Sequence, residues 1–352
     1  MGAVPIDTAT RQFKPQANHD GLHVVELFGG IGLGALRAAL AANYNIRCYT
    51  YVDKDATSRR IAKTTLSALQ LQYPDQLPAS AVHSFDKKLP QDVSQCTSGY
   101  LEQLITTNGP VDLLGGSWEC QSFSKAGRQR GAEDPRFRFF YDLVRILNFC
   151  QREQTSPPVY ILENTYPGER MSKAVREASG LVQAFIGAPV VVDAADMGSA
   201  AHRVRLFWSN MLQPAVLQAT LPLLLTPSPP LSAILKECHV PTSPDHTDRR
   251  PFATHNIHGG RRVCMPTVVA YPRSNAYRPR DNGAPGEGEL FNIYTNEWEE
   301  PDADEKELLL GYSRGDTAAP GVTDAERSVR LGRALDGHVM RWLGATLHAS
   351  QA

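Results

Sequence analysis

The run HVVELFGGIGLG, residues 23–34, decides the fold. His23–Phe28 is short, apolar and β-branched, the composition of a buried strand. The glycines behind it let the backbone turn sharply and let a ligand come close to it. Leu33–Ala42 then has helical character. A helix starting behind a glycine turn offers its first amides, and the positive end of its dipole, to a carboxylate or phosphate. The same grammar repeats downstream. Arg47–Val52 reads as a second strand and Ala56–Leu69 as a helix; Val111–Leu114, Val159–Leu162, Val190–Val192 and Val204–Trp208 read as further strands, and Phe137–Cys150 has the apolar spacing of a helix. This alternation predicts an α/β fold: a Rossmann-like, doubly wound, mostly parallel sheet with its working loops at the carboxyl ends of the strands.

The chain has 352 residues, enough for about two domains of roughly 100–200 residues each. Apolar residues at 42% and charged residues at 21% exclude wholesale disorder. Ala215–Leu225 is broken by Gln, Thr and Pro and is too short to span a membrane. Met1–Lys14 has no signal-peptide core, so an intracellular protein is expected. Six cysteines without a C-x-x-C pair argue against a common zinc site. Residues 1–20 read as a flexible tail, 21–210 as the cofactor-binding catalytic domain, 211–300 as a small irregular domain rich in proline, and 301–352 as a segment packing back on the first domain, with 322–347 helical. A net charge of −1 excludes a chain that coats nucleic acid all over. Charge is nevertheless segregated. Residues 211–280 carry eight basic against three acidic side chains, and residues 281–307 carry ten acidic against Lys306 alone. That split suits a polyanion-contacting lobe beside a repelling edge, or solvated loops of mixed sign.

Three further motifs carry chemistry. Asp53, about twenty residues past the glycines, is placed to accept hydrogen bonds from ribose hydroxyls, and Asp92, after a third strand, from an adenine amino group. This part of the pattern fits a dinucleotide, through Gly30-x-Gly32-x-x-Ala35, and fits S-adenosylmethionine equally. Next, LGGSWECQSFSKAG (114–127) puts Cys120 in a small-residue loop after a buried strand, with Lys125, Arg128 and Arg130 nearby to favour the thiolate. Glu163, at the end of VYIL, is placed to share that crevice, where partial burial would raise its pKa and let it donate a proton to a ring nitrogen. Finally, Arg203 and Arg205 alternate along a strand and could hold a phosphate or orient a carboxylate.

In this order the motifs resemble the DNA cytosine-5 methyltransferase family. Phe28-Gly29-Gly30-Ile31-Gly32 is similar to its F-x-G-x-G motif, Cys120-Gln121-Ser122-Phe123-Ser124 to its P-C-Q-x-F-S loop, Glu163-Asn164-Thr165 to E-N-V, and Arg203-Val204-Arg205 to Q-x-R-x-R. Ala194–Trp208, Leu308–Ser313 and Leu331-Gly332-Arg333 are most similar to the animal de novo branch, and Arg273-Ser274-Asn275 resembles its target-recognition loop. The resemblance covers about residues 23–347 and implies a class I S-adenosylmethionine-dependent fold with a target-recognition domain at 211–300. It implies Cys120, Glu163, Arg203 and Arg205 as catalytic residues. Phe28, Gly30, Ile31, Gly32, Asp53, Lys54, Asp92, Val93 and Arg333 would bind the cofactor, and Ser124, Asn164, Arg273 and Asn275 the DNA. The implied partners are duplex DNA with a flipped-out cytosine, and a homo-oligomer or regulatory partner through the catalytic domain; the implied compartment is the nucleus.

In that chemistry Cys120 adds to C6, Glu163 stabilises the N3 and N4 edge, C5 takes the methyl group, and Cys120 is expelled. One departure stands out. Glu119 replaces the family's proline, and the loop before Cys120 is one residue longer. A carboxylate beside a thiol should raise the thiol pKa. Three other functions compete. A cofactor-binding but inactive regulatory relative is favoured by Glu119 and opposed by Cys120 and Glu163. A tRNA-modifying relative usually carries a C-F-T signature, and no C-F-T occurs here. A nicotinamide oxidoreductase leaves Cys120, Glu163 and the arginine strand without roles.

Overall fold

The computed structural model describes residues 4–11, 20–82, 89–124, 129–211, 213–221, 226–241, 254–257, 260–268, 285–286 and 288–349. The predicted alternation is present. In chain order it runs β1 (Leu22–Leu27), α1 (Gly34–Ala41), β2 (Ile46–Val52), α2 (Ala56–Gln72), α3 (Ser98–Asn108), β3 (Leu113–Ser117), α4 (Arg138–Glu153), β4 (Val159–Thr165), α5 (Lys173–Ile186), β5 (Val190–Asp193) and β6 (Val204–Ser209). These strands lie in the order β2-β1-β3-β4-β6-β5. Pairings from β2 through β4 are parallel, and β6 is antiparallel to both neighbours. The chain steps from β1 outward to β2 and then back across to β3. That reversal leaves a crevice at the strands' carboxyl ends, where such sheets bind ligands.

Alternate residues of each strand feed two cores, as period two requires. Leu22, Val24, Leu113 and Ile161 pack with α1 and α2; Val25, Leu27, Leu114 and Leu162 pack with α3, α4 and α5. Close approach explains one glycine. A Cβ on Gly115 would sit 2.4 Å from the Cβ of Ala35, so α1 can lie on β3 only with glycine there. The chain continues through α6 (Pro214–Thr220), β7 (His239–Val240), the hairpin β8 (Thr254–Ile257) and β9 (Gly260–Val263), then β10 (Leu290–Asn292) and β11 (Glu297–Glu299), with β11-β10-β7 forming a small antiparallel sheet. It ends in α7 (Ala303–Leu309), α8 (Asp324–Leu331) and α9 (Gly337–Ala349). α9 returns to α1, and Trp342 meets Phe207 edge-on at 6.2 Å.

Several expectations need correction. Part of the tail is anchored: Ile6 is buried, its amide donates to the Phe185 carbonyl at 3.0 Å, and Arg11 does the same to Asn210. The first core runs beyond residue 210, since Met211, Leu217 and Leu221 pack within it. Residues 322–347 do not form one helical stretch; α8 stops at Leu331, and Gly332–Asp336 separate it from α9. Among the described residues, the strand expected before Asp92 is reduced to a single bridge between Val82 and Tyr49. Among the described residues, the acidic run 281–307 does not form a repelling edge at Glu299, Glu305 and Glu307. Glu305 and Glu307 are fully buried: Glu305 accepts from His239 at 2.7 Å, and Glu307 pairs with Arg327 at 2.9 Å. Glu299 takes the other ring nitrogen of His239 at 2.9 Å. These acids hold the small sheet to α7 and α8. The basic residues Arg249, Arg250, Arg273, Arg278 and Arg280 lie outside the described residues.

Candidate active site

A cavity of about 400 Å³ opens at the carboxyl ends of β1–β4. One wall is the glycine loop. Phe28 and Gly30 both adopt left-handed backbone (φ 54° and 52°), a conformation that costs a phenylalanine energy and clusters at functional sites. Strand β1 therefore ends at Leu27, one residue before the expected boundary. The Gly30 amide donates to Asp53 at 2.8 Å, and the Asp55 amide donates to the other Asp53 oxygen at 2.8 Å. Each oxygen keeps lone-pair capacity for a further donor, and Asp53 lines the cavity. Burial raises the Asp53 pKa. Ile31, Lys54, Asp92, Val93 and Arg333 line the same wall. Asp92 also caps the short turn Val93–Gln95, accepting from the Ser94 amide at 2.9 Å. Gly32 does something else: its missing side chain makes room for Tyr312 and Leu335.

The opposite wall carries the candidate nucleophile. Ser117 on β3 is in register with Glu163 on β4. Three residues later Cys120 starts a tight turn, its carbonyl accepting from the Phe123 and Ser124 amides, both at 2.9 Å. Cys120 is half-buried, whereas Cys48, Cys96, Cys150 and Cys264 are buried. Glu163 Oε1 lies 3.1 Å from Arg205 Nε, and both side chains are about nine-tenths shielded. Burial raises the Glu163 pKa, and Arg205 and Arg203 pull it back. The Cys120 thiol is likewise pushed up by burial, drawn down by Arg205, and pushed up again by Glu163 and Glu119. The cations that temper this thiol are thus the strand arginines; Lys125 and Arg128, expected to do so, lie outside the described residues. Arg273 and Asn275 lie outside them too.

Two assignments change. Asn164 is buried and turned from the cavity, donating to the Trp118 carbonyl at 3.2 Å; it positions the catalytic loop and has no face for DNA. Arg203 touches the cavity, but its guanidinium donates to the carbonyls of Val268, Gly332 and Ala334, so it clamps the segment carrying Arg333. Ser124 secures the turn through its amide, and the structure brings its side chain to no partner among the described residues.

Three features escaped the sequence reading. Glu26 on β1 is buried, accepting from Tyr49 Oη at 2.8 Å and from the Ala35 amide at 3.2 Å, and so fills the N-terminus of α1 with a carboxylate. An acid inside an otherwise apolar strand was the available signal. Arg330 on α8 reaches Asp55, the cap of α2, at 2.9 Å and ties Gly332–Arg333 to the Asp53 loop. Trp118 packs against Phe123, Phe140 and Trp208, anchoring the catalytic loop in the core.

Comparison with known proteins agrees with this geometry. The type II methyltransferase M.AluI of Cellulosimicrobium cellulans is 30% identical over 141 residues, 40% of this chain and 22% of that protein. M.NlaIV of Neisseria lactamica is 27% identical over 193 residues, 52% of this chain and 39% of that protein. The chain therefore spans well under half of these curated relatives. Among solved structures, the Entamoeba histolytica methyltransferase EhMeth superposes with a TM-score of 0.58 at 12% identity, over 95% of this chain and 100% of that one. The S. pombe Dnmt2 methyltransferase does so at 0.55 and 17%, over 93% and 99%. At these identities the likeness establishes the shared fold. The family model for C-5 cytosine-specific DNA methylases matches residues 22–230, which hold the cavity's lining apart from the Arg330–Arg333 segment, and the chain belongs to that family.

Proposed function

We propose that the chain is a DNA cytosine-5 methyltransferase that uses S-adenosylmethionine and attacks a flipped-out cytosine through Cys120. The observation that carries this reading is the shared cavity: nucleophile, buried acid and nucleoside-binding carboxylates face one space of about 400 Å³. The first wall fits the cofactor. Asp53 and Asp92 offer acceptors to ribose hydroxyls and an adenine amino group, and Phe28 offers a ring face. A dinucleotide fits poorly. Its pyrophosphate would seek the Gly30 amide and the α1 N-terminus, which already serve Asp53 and Glu26.

When bound, the cofactor would supply an electrophilic methyl on a sulfonium. The Cys120 thiolate adds to C6 of the base and makes C5 nucleophilic. Glu163, its pKa raised, holds a proton against the N3 and N4 edge, and Arg205 keeps its carboxyl oriented. C5 would then take the methyl carbon as its bond to the sulfonium sulfur breaks, the electron pair staying on sulfur. Loss of the C5 proton and of Cys120 restores the ring. A stacked base cannot reach a crevice of this depth, so the target must leave the duplex.

Purified chain should transfer labelled methyl groups from S-adenosylmethionine to duplex DNA, with sequencing of a random duplex locating 5-methylcytosine. Cys120→Ala should abolish transfer, and a duplex containing 5-fluorocytosine should form a denaturant-stable complex with the wild type only. Labelling at wild-type level in Cys120→Ala, or preferential labelling of tRNA in a parallel reaction, would overturn the proposal. Binding of both ligands without transfer would point to a regulatory relative instead.

A further inference from the structure

Glu119 is a charged cavity residue for which the family resemblance supplies no role. Its Oε1 lies 3.1 Å from Lys54 Nζ, and that ammonium sits 4.2 Å above the Phe139 ring. Both side chains line the cavity and are partly exposed, 25% for Glu119 and 48% for Lys54, so the pair can open without unpacking the core. The Glu119 charge acts on Asp53 on one side and on Cys120 on the other, raising the pKa of both. Lys54 follows Asp53 in the chain and Glu119 precedes Cys120, so this ion pair bridges the loop of the nucleoside anchor and the loop of the candidate nucleophile. A group linking a ribose held at Asp53 to a base held at Cys120 would occupy the cavity that this pair lines.

This inference rests on the cofactor reading above. On that reading the linking group is a sulfonium before transfer. During transfer the sulfur–methyl bond breaks, its electron pair stays on sulfur, and the group leaves as a neutral thioether. A carboxylate at that point attracts the substrate form of the cofactor and is indifferent to the product form. We propose that Glu119 is a charge-selective cofactor residue that exchanges Lys54 for the incoming sulfonium and returns to Lys54 once the methyl has gone, favouring release of the spent cofactor. A carboxylate in place of the family's proline then has a use, at the expense of a less acidic thiol.

Titration calorimetry of the whole chain with S-adenosylmethionine and with S-adenosylhomocysteine tests this, folding being checked by thermal melting. Glu119→Gln should reduce the preference for S-adenosylmethionine over S-adenosylhomocysteine by about fivefold, the scale of one partly screened charge pair. Lys54→Met should shift the preference the opposite way, because the sulfonium no longer has to displace an ammonium. An unchanged preference in Glu119→Gln, or shifts of the same sign in the two variants, overturns the proposal while leaving the cofactor reading intact. Failure of the wild type to bind either compound overturns the cofactor reading and this inference with it.

Discussion

Replacing Glu26 by glutamine should flatten the dependence of stability on pH. Glu26 is 4% exposed on β1, and burial lifts its pKa from 4.5 to about 7 despite hydrogen bonds from Tyr49 and from the first amides of α1. Between these values the folded chain holds a proton that the unfolded chain has released, so stability falls as pH rises. The contribution is fully present below pH 4.5 and is lost as pH passes 7. Integrating the two titrations from pH 5 to pH 8 gives about 2.5 kcal/mol lost from this carboxyl alone. Glutamine keeps an acceptor for Tyr49 and does not titrate. Its amide nitrogen cannot accept from Ala35, which sets a constant offset without altering the slope. The assay is urea unfolding of both proteins at pH 5, 6.5 and 8. Asp336, raised to about 6 by its own burial, titrates in the same window but is common to both proteins and cancels. The variant should gain about 2.5 kcal/mol on the wild type between pH 5 and pH 8. Parallel curves would show that the Glu26 carboxyl is ionised in the fold across this range, and the account of a buried carboxyl that keeps its proton at a low-dielectric helix terminus would fail.

Removing the arginine that holds the acid, Arg205→Met, should lower methyl transfer by about 100-fold and move its rise to higher pH, because the Cys120 thiol loses its principal stabilising cation; a single-turnover pH profile reads this. Glu119→Pro should be tolerated, since the backbone there already has φ −50°, and it should shift the same rise to lower pH by taking a like charge from the thiol. Arg203→Met leaves three carbonyls without their donor and should cost about 3 kcal/mol in thermal or urea unfolding, with weaker cofactor binding as Gly332–Arg333 loosens. Gly115→Ala should destabilise by about 1–3 kcal/mol, because its new methyl meets Ala35 and α1 must lift from β3.

The central sheet was legible because strands buried on both faces are continuous apolar runs, and because glycine turns and cysteine loops follow them directly. Boundaries were harder where a strand ends in conformation instead of composition. Phe28 is as apolar as the residues before it, and its left-handed backbone is set by the turn. The acidic run 281–307 misled because charge in a sequence carries no direction. Glu305 and Glu307 find His239, Thr317 and Arg327 only once α7 and α8 pack together. The Asn164 assignment was open to correction from the sequence itself: alternation along a strand that aims Glu163 into the crevice must aim Asn164 away from it.

Pairing inside the cavity tempers an acidic lining around the Cys120 thiol, whose pKa Glu163 and Glu119 still raise. Glu163 is matched by Arg205, Glu119 by Lys54 and Asp55 by Arg330. Each partner comes from a different stretch of chain, so no reading of local sequence could have matched them. Asp53 and Asp92 are the lining carboxylates with no cationic partner among the described residues; their oxygens accept only from amides and a serine hydroxyl. A carboxylate bonded this way keeps lone pairs for neutral donors. Ribose hydroxyls and an exocyclic amine are such donors, whereas a phosphate would meet two uncompensated negative charges. On the proposed reading, the carboxylates that act on Cys120 are paired with cations, and those left without one among the described residues suit the neutral donors of a nucleoside.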